Sequence, residues 1–197
     1  MQPRAKKTTA PDNTQDSILQ KLMHNPLQTF NQLWNKEGPS NKFAYHVHVL
    51  ERKGLLAKRE QRYFLSSQGK KEVAYLKSKT GKRLQPPIVA VAIVVKRGNK
   101  YLMQQRTQEP FFGYCGFPSS KLGCEQYIYE CAATTLEEET GLHCDLQLRG
   151  LFSSKTFASD QMLYNHQLFV LVGTSPMGEF RASSEKGDNV WLTKSQL

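Results

Sequence analysis

Gly116-Phe117-Pro118-Ser119-Ser120-Lys121-Leu122, followed further on by Leu136-Glu137-Glu138-Glu139-Thr140-Gly141-Leu142, is the stretch on which the reading of this chain turns. Residues 126–140 have a helix-forming composition, and Gly141 stands where a helix ends in the left-handed conformation that glycine adopts at least cost. Positions three and four apart on a helix share a face, so side chains 135, 138 and 139 are predicted to converge. Upstream, residues 88–95 are an unbroken apolar, largely β-branched run, the pattern of a buried strand. Arg97-Gly98-Asn99-Lys100 makes a turn, and residues 101–105 return as its hairpin partner. Downstream, residues 146–157, 162–173 and 190–192 read as further strands.

The quoted stretch resembles the Nudix family, whose box reads G-x5-E-x7-R-E-U-x-E-E-x-G-U with U aliphatic. Aligned without gaps, Leu136, Glu138, Glu139, Gly141 and Leu142 match it. Thr135 stands where the family has Glu, Thr134 where it has Arg, Gln126 where it has the loop Glu and Ser120 where it has Gly. Glu125 fills the loop position if one residue is deleted. The Gly-Phe-Pro approach, the Lys after the small pair, the helix length and the preceding hairpin with Gln104-Gln105-Arg106 also fit. The resemblance covers residues 88–197 and implies a Nudix α/β/α sandwich with a mixed sheet.

It also implies chemistry. Nudix enzymes hydrolyse a nucleoside diphosphate linked to another group, and Mg²⁺, with Mn²⁺ as substitute, neutralises charge at the attacked phosphorus. Mg²⁺ requires several hard oxygen ligands aimed at one point. The resemblance leaves Glu138 and Glu139 as metal ligands and catalytic carboxylates. Glu185, in the loop before the last strand, is the candidate for the missing carboxylate; the alternative for each is a solvated acid. Thr135 carries no charge and takes no proton near neutral pH, and Thr134 cannot orient a glutamate as arginine does. Arg106 and Lys121 are candidate substrate-binding cations, and Phe111, Phe112 and Tyr127 are candidate rings for stacking a base.

The rest of the chain has a different character. Residues 1–16 are basic and polar and read as a disordered arm. Ile18, Leu19, Leu22 and Met23 fit a helix capped by Asp16 or Ser17. Leu27, Phe30, Leu33 and Trp34 fit a second. Ser40 caps a third that runs to about Lys53, with Gly54 as its stop. Residues 55–58 and 63–65 read as two strands around Glu60-Gln61. Ser66 or Ser67 caps a fourth helix, with Val73, Tyr75 and Leu76 available for burial. This order over residues 17–79, with the segment from Phe43 to Leu56, resembles winged-helix proteins of the MarR and ArsR kind. Phe43, Val47 and Leu50 mark the buried face of the third helix. Lys42, Tyr45, Val49 and Arg52 share the opposite face, and Lys58, Arg59 and Arg62 lie in the wing. The resemblance implies that this face enters the major groove of duplex DNA; the alternative is a protein-binding winged helix. Residues 80–87, with a Pro-Pro pair, read as a linker.

The charge divides with the modules. Residues 1–87 hold 17 Lys and Arg against 6 Asp and Glu, whereas residues 88–197 hold 10 against 11. A basic module beside a near-neutral one suggests two modules, one of which meets a polyanion; the alternative is a basic surface that only aids solubility. The longest apolar stretch has eight residues, too short to span a bilayer. No signal peptide is visible, so the expected location is cytoplasmic, with no membrane partner. Cys115, Cys124, Cys131 and Cys144 form no C-x-x-C pair and read as reduced thiols.

The expected fold class is therefore α+β in two domains, an N-terminal winged helix-turn-helix and a C-terminal Nudix module. The favoured function is a DNA-binding regulator, a homodimer candidate, whose Nudix domain binds a nucleoside-diphosphate small molecule. The alternatives are a working Mg²⁺-dependent pyrophosphohydrolase, supported by Glu138, Glu139 and Glu185, and a protein-interaction module with neither activity.

Overall fold

A computed structural model describes residues 14–197 of the protein. The basic arm expected over residues 1–16 lies outside the described residues up to position 13. The described residues fall into two compact units, one ending at Pro86 and the other beginning at Pro87. Both mix helix and strand. No helix among them is long and apolar enough to cross a membrane.

The first unit runs α1 (Thr14–His24), β1 (Gln28–Thr29), α2 (Phe30–Trp34), α3 (Ser40–Arg52), β2 (Leu56–Arg59), β3 (Arg62–Leu65) and α4 (Ser67–Val73). Helix α1 begins before the expected cap, and Asp16 is buried, paired at 3.1 Å with Arg83. Leu27 is not part of the second helix. Its φ is +61°, and the helix starts at Phe30 because the Thr29 hydroxyl accepts from Gln32 N while the Gln32 side chain accepts from Thr29 N, a capping box. Ser40 is the first helical residue of α3 rather than its cap, a position held by Pro39.

The hairpin β2–β3 turns through Glu60 and Gln61, both at positive φ, the backbone hand that matches strand twist. Strand β3 lies between β1 and β2. Ser66 caps α4 by accepting from Gly69 N. Ile18, Leu19, Leu22, Leu33, Val47 and Leu50 fill the core, with Phe30 edge-on to Phe43 at 5.6 Å. Leu76 joins this core, but Tyr75 stays exposed. Part of the expected linker belongs to this unit: Leu84 N donates to Tyr75 O, and Arg83 pairs with Glu72 as well as Asp16.

The second unit holds β4 (Ile88–Arg97), β5 (Lys100–Arg106), β6 (Cys115–Gly116), β7 (Ser119–Lys121), α5 (Ile128–Thr140), β8 (Leu142–His143), β9 (Leu146–Ala158), β10 (Gln161–Thr174), β11 (Met177–Gly178), β12 (Gly187–Thr193) and a final 3₁₀ turn at Lys194–Gln196. The main sheet is mixed, in the order β12-β5-β4-β10-β9, with β4 and β10 parallel and the other pairs antiparallel. The β-branched run of β4 is explained by this central place: Val91, Ile93 and Val95 are fully buried.

Strands β4 and β5 pair only at their turn, through Lys96–Tyr101 and Arg97–Lys100. Beyond that they part, and residues 115–121 enter between them, β7 on β4 and β6 on β5. Helix α5 packs on the sheet through Cys131, Ala132 and Leu136, against Val91, Ile93, Leu102 and Leu171. It starts at Ile128 rather than Gln126, because the Gln126 side chain accepts from Gly123 N in the preceding turn. Among the described residues it is the α-helix of this unit, so the three-layer sandwich expected is here a sheet with one helical layer.

Candidate functional site

Where β4 and β5 part, a cavity of about 430 Å³ opens. Arg106, at the end of β5, and Ser119, Ser120 and Lys121 of β7 line it together with Phe111, Tyr164, His166 and Lys186. Tyr164 and His166 are two apart on β10 and therefore share a face. Phe111 meets both, at ring separations of 5.7 and 6.0 Å, and forms an aromatic wall with them. Arg106 donates to the Ser119 hydroxyl at 2.6 Å, which fixes the guanidinium across the β5–β7 gap. Burial holds the Arg106 guanidinium below its ordinary pKa, against the opposing attraction of Glu139; arginine's high starting value keeps it charged.

The end of α5 is tied to the loop that precedes β12. Gly141 caps the helix at φ +71°, and a Cβ there would strike Glu179 O. The orphan carbonyls of the last turn find partners in that loop: Thr140 O accepts from Arg181 N, Glu138 O from the Arg181 guanidinium, and Glu139 O from Asn189 Nδ2 at 2.7 Å. The same loop closes over the Glu139 side chain. One carboxylate oxygen accepts from Ser184 Oγ and Gln104 Nε2, and the other lies 2.8 Å from Lys186 Nζ. Burial pushes this carboxyl up, but the Lys186 and Ser184 hydrogen bonds, the Lys186 charge and the Gln104 amide together hold it below the usual carboxylate value.

The expected site residues divide. Arg106, Lys121 and Phe111 line the cavity. Phe112 and Tyr127 stand outside it, and Tyr127 is 82% exposed beside the start of α5. Glu139 is buried, but its neighbour Glu138 is exposed and offers only its carbonyl oxygen, to Arg181. Glu185 is exposed too, with its backbone oxygen accepting from Gln108. The side chain that the loop delivers to the cavity is the next one, Lys186. Lys186, Tyr164 and His166 were missed by the sequence reading. The Tyr164-x-His166 spacing was a usable signal for the last two, whereas nothing local marks Lys186.

These donors do not fit a resident Mg²⁺ or Mn²⁺. Thr135 spends its hydroxyl on Cys131 O, four residues back along the helix. Glu139 is left as the one carboxylate of the signature helix on the buried side, and a cation of the protein's own already engages it. Among the described residues no three His, Cys, Asp or Glu side chains gather in a metal-binding group.

On the first unit, Lys42, Tyr45 and Arg52 of α3 are exposed and Val49 is half-buried, away from Phe43, Val47 and Leu50 in the core. Lys58, Arg59 and Arg62 of the hairpin are exposed as well. Arg62 donates to Leu27 O, Arg59 lies 3.6 Å from Glu60, and Lys58 sits over the Tyr63 ring at 5.2 Å.

Scanned against protein-family models, the chain matches none. Among curated proteins, it is 33% identical over 69 residues to an ADP-ribose pyrophosphatase of Methanocaldococcus jannaschii, a match that takes in 34% of this chain. The chain spans 41% of the length of that relative. Among solved structures, it is similar to the MutT NUDIX hydrolase from Burkholderia pseudomallei (TM-score 0.49, 19% identity, 55% of this chain and 84% of that one). It is similar also to the MutT protein from Bacillus halodurans (0.48, 24%, 55% and 70%). A third is the NUDIX domain of Shewanella oneidensis NrtR complexed with ADP ribose (0.47, 14%, 57% and 77%).

Proposed function

We propose that the second unit is a Nudix-type domain that binds a nucleoside-diphosphate derivative without hydrolysing it, and that the first is a winged helix that binds duplex DNA. The chain would then be a ligand-responsive regulator. The observation that carries this reading is the Glu139–Lys186 pair at a cavity that also holds Arg106, Lys121 and an aromatic wall. The rings offer a face for a base, and the cations offer donors for a diphosphate. About 430 Å³ is within the range of small-molecule sites. Hydrolysis needs several carboxylates around a metal, and Glu139 alone, already neutralised, is a poor start.

The likeness to an ADP-ribose pyrophosphatase makes ADP-ribose the first ligand to test. It also favours the second reading, a Mg²⁺-dependent pyrophosphohydrolase. That reading requires Glu138 and Glu185 to turn in beside Glu139 and displace Lys186. For the first unit, the support is the exposed Lys42, Tyr45 and Arg52 on the helix face opposite the core, with the basic hairpin nearby. A homodimer would present two such faces to a palindromic site.

The test pairs calorimetric titration of ADP-ribose and nucleoside-diphosphate sugars with assays for the nucleoside monophosphate that hydrolysis would release, in Mg²⁺ and Mn²⁺. Binding without turnover is expected. Turnover on the order of 1 per second or faster overturns the binding-only reading in favour of the hydrolase.

A further inference from the structure

We infer that Lys186 takes the place of a divalent cation in this pocket: its ammonium, pinned by Glu139, receives the diphosphate of the ligand, so that binding needs no metal. This inference rests on the nucleotide-binding reading of the cavity and goes beyond it by naming the group that replaces the ion.

The geometry is built from both sides. Gly187 pairs with Arg106 across β12 and β5, and a Cβ at 187 would strike Gln105 O, so the chain approaches β5 more closely than any other residue allows. One step earlier, Lys186 has its carbonyl on Thr107 N and its N–H on Ser184 Oγ, each at 3.2 Å. Its backbone is therefore fixed next to Arg106. Its head is fixed by Glu139, whose carboxylate is in turn held by Ser184 and Gln104. An ammonium has three N–H donors, and one is spent on Glu139. The side chain is 38% exposed and lines the cavity, so the remaining donors have room for phosphate oxygens.

The chemistry follows from the charge. A Mg²⁺ ion held by one carboxylate would use ligand oxygens to complete its shell. Lys186 bridges the same two kinds of oxygen, carboxylate and phosphate, with hydrogen bonds. With Arg106 and Lys121 it places three cations around a diphosphate, against Glu139 inside and the water-exposed Glu109 at the rim. An ammonium does not acidify a bound water as a metal ion does, so the exchange keeps affinity and gives up hydrolysis.

The experiment is a calorimetric titration of the full chain with ADP-ribose, in excess chelator and again in Mg²⁺. For the unaltered protein the two dissociation constants should agree within about twofold. Lys186→Ala should bind about tenfold or more weakly in chelator, the loss of a charge-assisted contact. Mg²⁺ should restore part of that loss, because Glu139 is then free to share a metal with the diphosphate. Lys186→Arg should keep most of the affinity without metal.

An unaltered protein that binds only in Mg²⁺ overturns the inference and leaves the nucleotide-binding reading intact. So does a folded Lys186→Ala that binds in chelator as tightly as the unaltered protein. If neither ADP-ribose nor other nucleoside diphosphates bind under either condition, the pocket reading itself fails and the inference with it. Should Lys186→Ala not fold, the chelator comparison on the unaltered protein still decides.

Discussion

Lys42, Arg52, Lys58, Arg59 and Arg62 of the first unit stand in water, whereas Arg106 and Lys186 of the second are half-buried at a cavity wall. Those exposed cations belong to the unit with the large positive excess, and those two half-buried ones to the unit with almost no net charge. Net charge therefore marks where a long polyanion would be attracted, through a field that salt screens. It says nothing of where a small anion is held. In the proposed pocket a small anion would be held by a few cations fixed by neighbours, as Arg106 is by Ser119 and Lys186 by Glu139. Each surface should accordingly fail in its own way when it is broken.

The largest effect should come from Leu136→Asp. Leu136 is 1% exposed, packed between α5 and the sheet. An unpaired charge buried there costs several kcal/mol, on the order of the whole margin of stability. The second unit should lose its melting transition and the proposed nucleotide binding, while the proposed DNA binding of the first unit persists. Unchanged melting would show that the register of α5 is wrong, and loss of both affinities would show that the two units do not fold independently.

Next in size is Arg106→Ala, which removes a half-buried cation of the cavity and its bond to Ser119. Affinity for ADP-ribose should fall about tenfold or more, the worth of a charged hydrogen bond. Phe111→Ala should cost less, about 1 kcal/mol of stacking. DNA affinity should be untouched by either. If calorimetry finds both variants binding as tightly as the parent, the ligand sits elsewhere.

Acid should act on the same cluster. The folded carboxyl of Glu139 lies below its unfolded value of about 4.3, so its stabilising contribution is complete above that value. It is lost as pH falls through the lower, folded one. Glu139→Gln removes that contribution at neutral pH and should flatten the acid limb, so melting temperatures of variant and parent should converge as pH falls through the lowered, folded value. A gap that does not narrow at all as pH falls from neutral into the acid limb would show that Glu139 is not paired in solution.

How far these features could be read from the sequence follows from how local their causes are. The exit of α5 was legible, because Leu136 and Gly141 act through the helix period and a glycine cap. So was α3, through Phe43, Val47 and Leu50 at three- and four-residue spacing. The parting of β4 and β5 was not, since it depends on where residues 115–121 insert. Nor was the exchange of Glu185 for Lys186. The loop register there is set by Asn189 and Arg181 bonding to carbonyls of α5 some 40 to 50 positions away in the chain. Periodicity carries no trace of such ties.

The smallest effect should be that of Arg52→Glu on the first unit, and its form matters more than its size. Arg52 is exposed near the end of α3, on the side away from the core. A contact from such a side chain to a phosphate is weak singly, because water and salt compete with it. Replacing it with glutamate removes one phosphate contact and adds repulsion, which should weaken duplex binding about equally for every sequence tried. The logarithm of affinity should also fall less steeply with the logarithm of salt, the slope dropping by about one, as one counterion fewer is released. Gel-shift titrations at several salt concentrations read both quantities, with ADP-ribose binding as the internal control. A uniform loss with a shallower slope fits a backbone contact. A loss confined to one DNA sequence would mean that Arg52 reads a base edge, and this surface would then be as specific as the cavity. Affinity indifferent to both salt and the substitution would remove DNA from the account of this face and leave a partner protein as its occupant.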